Sequence, residues 1–198
     1  MRRDPADAAD DENWTGGYYE LAIDLGPHDD GRLDAAVRAL WAAAGLEPPF
    51  RRLDPRQRPD VSARALLDGH LHARVTVPGL GRTVCTVLVV REVTDDGGVT
   101  RHGDDWLDLC LPLGALSHLD ARVGAYPFSH APSRAWREPV EQWFAGVAGA
   151  VFGSVPFAYA LTGFEVSGFG AEDAADGRTG LYERAADGTL RVAPVTAW

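Results

Sequence analysis

The chain has 198 residues, 45% of them hydrophobic and 24% charged, enough for one domain with a sizeable core and too few for two well-packed ones. Its formal net charge of −10 works against nucleic-acid and anionic-membrane binding, which need a basic surface, and suits a basic protein partner. The 19 basic residues are all arginine, and without lysine a Schiff base, a Walker-type phosphate loop and a Ser-Lys dyad are excluded.

Residues 1–14 carry two arginines, then mostly acidic and small residues without apolar periodicity. They predict a disordered, solvated acidic tail followed by a single α+β domain over 15–198. The start continues into aspartates where a signal peptide would have an apolar stretch, so a cytoplasmic protein is expected. No apolar run approaches the ~20 residues of a membrane-spanning helix.

Gly17 to Asp24, GYYELAID, reads as a first strand with Tyr19, Leu21 and Ile23 facing the core. Leu33, Ala36, Val37, Leu40, Trp41 and Ala44 then recur at steps of three and four, which predicts a helix capped by Asp29 or Asp30 and ended by Gly45. Glu47 to Asp60 is a proline- and arginine-rich loop, the one locally basic segment. HLHARVTV and RTVCTVLVVREV flank PGLG as a β-hairpin. Pairing Val77 with Arg82 would set Arg74 opposite Cys85, with His72 its diagonal neighbour.

DWLDLCLPL alternates Leu107, Leu109 and Leu111 with Trp106, Asp108 and Cys110, as a strand does. A short helical turn in LGALSHLD and a proline-punctuated loop follow. Val140, Trp143, Phe144, Val147, Val151 and Phe152 mark a second helix, with Pro139 in its first turn and Gly153 at its end. PFAYALTGFEVSG gives another strand, in which Gly163 suggests a close backbone contact. A hairpin turning at Asp187-Gly188 closes the chain. The order predicts an α+β fold, a mostly antiparallel sheet with two amphipathic helices on one face, and a ferredoxin-like core with added strands.

The chemistry is sparse. His70 and His72 share one side of a strand, as two metal ligands can, but Arg74 is next on that side and opposes a cation; a polar strand face is the simpler account. His28 beside Asp29 and Asp30, and His102 beside Asp104 and Asp105, would form a composite metal site only if their loops met. Cys85 and Cys110 lie in apolar runs and read as buried thiols without an activating group. Trp106, Tyr126, Phe128, Trp136, Arg51, Arg52 and Arg74 are of types enriched in interfaces and are the interface candidates.

The expected function is a small acidic protein-binding module without a cofactor, such as an immunity or antitoxin-like inhibitor of a basic partner. The alternatives are a metal-dependent enzyme with His and carboxylate ligands, and a module binding an anionic small molecule at Arg51, Arg52 or Arg74 beside an apolar pocket. Oligomeric state is left open by the sequence.

Overall fold

A computed structural model describes residues 3–94, 100–123 and 131–196. Its centre is a sheet of seven strands: β1 (Tyr18–Asp24), β2 (Leu71–Val77), β3 (Gly81–Thr94), β4 (Thr100–Pro112), β5 (Tyr159–Phe164), β6 (Gly180–Arg184) and β7 (Leu190–Ala193). Their spatial order is β2-β3-β4-β1-β5-β6-β7, and every neighbouring pair is antiparallel. The helices are α1 (Asp30–Ala44), α2 (Ala63–Leu67), α3 (Leu113–Leu119) and α4 (Ala131–Ser154).

The architecture is the predicted α+β one, with α1 and α4 side by side on one face of the sheet. Alternation decides which side chains meet them. Tyr19, Leu21 and Ile23 of β1, Leu107, Leu109 and Leu111 of β4, and Leu71, Ala73 and Val75 of β2 join Leu33, Val37, Leu40, Val140, Phe144 and Val147 in one buried cluster. Full burial of each such leucine or phenylalanine contributes about 2 kcal/mol. Asp29 caps α1 by accepting the Arg32 N–H at 2.9 Å, and Gly45 ends it at φ 65°.

Only half of a ferredoxin-like core is present. β4 and β5 both run antiparallel to β1, which lies between them, so β4-α4-β5 is a split βαβ unit. Between β1 and β2 lie two strands, β4 and β3, so β2 runs opposite to β1 and the first half has no such crossover.

Other expectations change in detail. The hairpin turn is one residue tighter, pairing Val77 with Gly81, Arg74 with Val84 and Ala73 with Cys85. That slip sends Cys85 to the helix side, away from His72. α4 begins at Ala131, so Pro139 lies inside it instead of in its first turn. The short α2, capped by the Ser62 hydroxyl, is an element that periodicity did not reveal.

The largest correction is at the N-terminus. Residues 3–14 are not a solvated tail: they cross the sheet face opposite the helices, burying Ala6, Ala8, Asn13 and Trp14. Backbone acceptors hold them there, with Val84 N donating to Pro5 O at 3.0 Å and Arg74 Nε to Ala6 O at 2.8 Å. The Asn13 amide stitches the segment to itself through the Asp4 and Asp7 carbonyls.

Candidate functional site

The histidine pair of β2 lies under this N-terminal cover. His72 is buried, with Trp14 edge-on to its ring at 5.0 Å, Phe50 at 5.9 Å, and Nδ1 3.0 Å from Thr86 Oγ1. Burial, reinforced by the neighbouring His70, pushes its pKa down to about 4, so the imidazole is neutral at physiological pH. His70 stands exposed, its ring 6.4 Å from that of His72. Among the described residues no group of three or more His, Cys, Asp or Glu side chains is placed to hold a metal ion.

The three arginines expected to meet an anion are committed elsewhere. Arg51 donates to the carbonyls of Gly69, His70 and Ala65 at 2.6 to 2.7 Å, which pins the basic loop to the start of β2. Arg52 pairs with Asp11 and lies over the Trp14 ring at 5.1 Å. Arg74 lies over Phe50 at 5.2 Å in addition to holding Ala6. All three fasten loop and N-terminal segment to the sheet.

The loop bearing His28 does meet Asp105, which lies in β4, but a guanidinium sits between the carboxylates of Asp30 and Asp105. Arg91 bonds the buried Asp105 through Nε at 2.7 Å and Nη2 at 3.0 Å, and Nη2 also reaches Asp30 at 2.6 Å. Asp105 holds Arg91 firmly protonated, and His28 Nε2 lies 3.6 Å from Asp105 and 3.1 Å from the Arg91 carbonyl. The cation of this cluster is therefore an arginine of the chain itself. His102 pairs with Glu92 across β3 and β4, and its side chain lies outside the described residues.

Among the aromatic interface candidates, Trp136 is fully buried, edge-on to Tyr19 at 5.2 Å, and belongs to the core. Trp106 is 8% exposed and packs against Tyr159 at 5.6 Å on the face away from the helices. Tyr126 and Phe128 lie outside the described residues.

Both cysteines are free and buried. Burial pushes Cys85 up to about 12, and burial with the nearby Glu20 raises Cys110 well above an ordinary thiol. The native protein at pH 8 is expected to resist an aromatic disulfide reagent, with both thiols reacting once guanidinium unfolds the chain. A thiol that titrates in the native state would contradict this burial.

The concave feature that sequence reasoning missed lies between α4 and the β5–β7 end of the sheet. It is a cleft of about 450 Å³. Arg134, Glu138, Glu141 and Ala145 line it from α4, spaced so that they share one flank of the helix, while Thr162, Tyr182 and Val192 face them from three successive strands. Behind this wall Tyr19 donates its hydroxyl to Glu141 Oε1 at 2.5 Å, and Tyr182 reaches the Glu141 carbonyl at 3.5 Å. Arg137, one turn earlier, brings Nε within 3.7 Å of the same carboxylate. Burial raises the Glu141 carboxyl and both tyrosines. The cleft thus sets a charged helix wall of Arg134, Glu138 and Glu141 against Val192, Pro194 and Val195, a combination suited to holding an apolar group with a polar attachment.

The one local signal for it was Thr162, a polar residue on the side of β5 that carries Ala160 to the helices. Beside the cleft, the outer edge of β7 has no strand partner among the described residues, and Val192 is 46% exposed there. The opposite edge, β2, is closed by the loop: Phe50 and His72 exchange backbone hydrogen bonds of 2.8 and 3.1 Å, and Glu47 N donates to Arg74 O. Comparison with protein-family models, curated proteins and solved structures finds no match to the chain, so geometry alone carries the functional reading.

Proposed function

We propose that the chain is a protein-binding module that takes an extended segment of its partner along β7, with one apolar side chain in the cleft beneath α4. The observation that carries this reading is the adjacency of an open strand edge and a built cleft on the same strand. An added strand gains backbone hydrogen bonds at such an edge, and a pocket beside it selects among side chains. The net charge of −10 favours a basic segment.

A second reading, a small molecule held in the cleft, is favoured by the volume, which falls within the usual range of ligand sites.

Selection of random displayed peptides on the full-length chain tests both. Peptides with an apolar residue beside lysine or arginine are expected, and Ala145→Trp, which fills the cleft, should weaken them at least about tenfold. Val192→Asp, on an exposed position, should act in the same direction. Selected peptides that bind both variants as well as the parent would overturn the peptide reading. A screen of small fragments whose binding is lost only in Ala145→Trp would replace it with the second.

A further inference from the structure

The sheet face opposite the helices carries a second buried polar group, under a different cover. Glu20 of β1 and Asp108 and Cys110 of β4 point to this side, Glu20 directly opposite Cys110 and Asp108 opposite Ala22. All three are at most 4% exposed. The segment after β5 folds back over them. Val166 packs with Ala22, Trp106 and Leu161, and Ser167 N donates to Glu20 Oε1 at 2.8 Å. Cys110 Sγ donates to Glu20 Oε2 at 3.5 Å. Asp108 Oδ1 and Ser167 Oγ are buried and face each other, the Ser167 hydroxyl partly offsetting the burial of the Asp108 carboxyl.

The fold-back is tight. Glu165 sits at φ 49°, a left-handed conformation that disfavours a side chain, while its N–H bonds Tyr18 O at 3.1 Å. A Cβ on Gly163 would come within 2.8 Å of Val166, and one on Gly17 would strike Glu165 and Phe164. The segment is therefore held in a strained shape, by the Ser167–Glu20 and Glu165–Tyr18 bonds, the Tyr159 hydroxyl on the Phe169 carbonyl and the Val166 side chain.

The charged and titratable groups around the pair are mostly acidic. From β1 come Tyr18, Glu20 and Asp24, from β4 Asp108 and Cys110, from the covering segment Glu165, from β5 Tyr159, and from the basic loop Arg52, which acts on Tyr18; β3 presents Thr86, Leu88 and Val90. Among the described residues no arginine or histidine is paired with either Glu20 or Asp108. Two charged carboxylates on adjacent strands in this setting repel each other, offset only by the Ser167, Val166 and Cys110 donors, whereas one proton on the pair removes the repulsion.

We propose that residues 165–169 form a proton-linked strap, closed over the sheet while the Glu20–Asp108 pair holds one proton and opened when both carboxylates are charged. Burial, with Glu20 adding, pushes Asp108 up to about 8, and burial raises Glu20 as well, so the opening falls on the alkaline side of neutrality. Opening withdraws Val166 from Trp106 and lets water reach the pair.

Amide hydrogen exchange followed by NMR on the full chain tests this. After correction for intrinsic exchange, protection of the Ser167 amide is expected to fall at least about tenfold between pH 6.5 and 9, while the Leu109 amide in the sheet centre stays protected. Asp108→Asn should abolish the fall. So should Glu20→Gln, which removes one of the two carboxylates and whose oxygen can still accept from Ser167, and it serves alone should the first variant fail to fold. Constant Ser167 protection in the parent, an equal fall in the variants, or a joint loss at Ser167 and Leu109 would each overturn the strap.

Discussion

Asparagine at position 108 is expected to stabilise the protein by about 3 to 5 kcal/mol at pH 8 and by almost nothing at pH 4. The sign follows from linkage. Asp108 has a folded pKa of about 8 against an ordinary carboxyl value of about 3.9 in the unfolded chain. Between those values the folded state keeps a proton that the unfolded state has lost, so stability falls as pH rises, by about 1.4 kcal/mol per unit, and levels off above pH 8. Asparagine mimics the protonated acid without that cost. Its amide can also hydrogen-bond the buried Ser167 Oγ that faces it.

The parent curve alone would conceal this, because His72 works in the opposite direction. Its folded pKa is depressed to about 4, so the folded state must gain a charge in acid that the unfolded chain accepts near pH 6.5. Stability is lost as pH falls between those values, which offsets the Asp108 slope over much of the same range. The difference between parent and variant isolates Asp108. Denaturant unfolding of both at pH 4, 6 and 8 measures it, and a difference that does not change with pH would contradict a protonated Asp108.

Much of the frame was legible in the sequence because the signals were local. The three-and-four spacing from Leu33 to Ala44 and the alternation from Trp106 to Leu111 each name a buried face within one element. Alternation also set His72 on the side away from Leu71 and Ala73, as observed. What it could not state is what covers that second side. The cover is held to the sheet by carbonyls of Pro5 and Ala6, and backbone acceptors leave no pattern in side-chain hydrophobicity. The cleft was hidden for a related reason: Glu141, which lines it, is held by Tyr19, 122 residues away in the chain. The hairpin slip shows how narrow the margin is. One residue fewer in the turn moved Cys85 across the sheet and dissolved its proximity to His72.

Removing residues 1–14 is expected to cost about 4 kcal/mol or more, a large part of the stability of an ordinary domain, although the sequence of that segment reads as dispensable. Trp14 is 9% exposed, and loss of a buried tryptophan side chain alone costs about 3 to 5 kcal/mol. Val84 N and Arg74 Nε would lose the Pro5 and Ala6 carbonyls, and Arg52 both its tryptophan and Asp11. His72 would lose the ring that covers it, so its pKa should rise from about 4 toward 6.5, and the acid-side loss of stability it causes should shrink. The milder Trp14→Ala carries the same two signatures and keeps the backbone acceptors in place. Guanidinium unfolding gives the first signature and an NMR titration of His72 the second. An unchanged midpoint with an unchanged His72 titration would mean that residues 1–14 do not cover this face in solution.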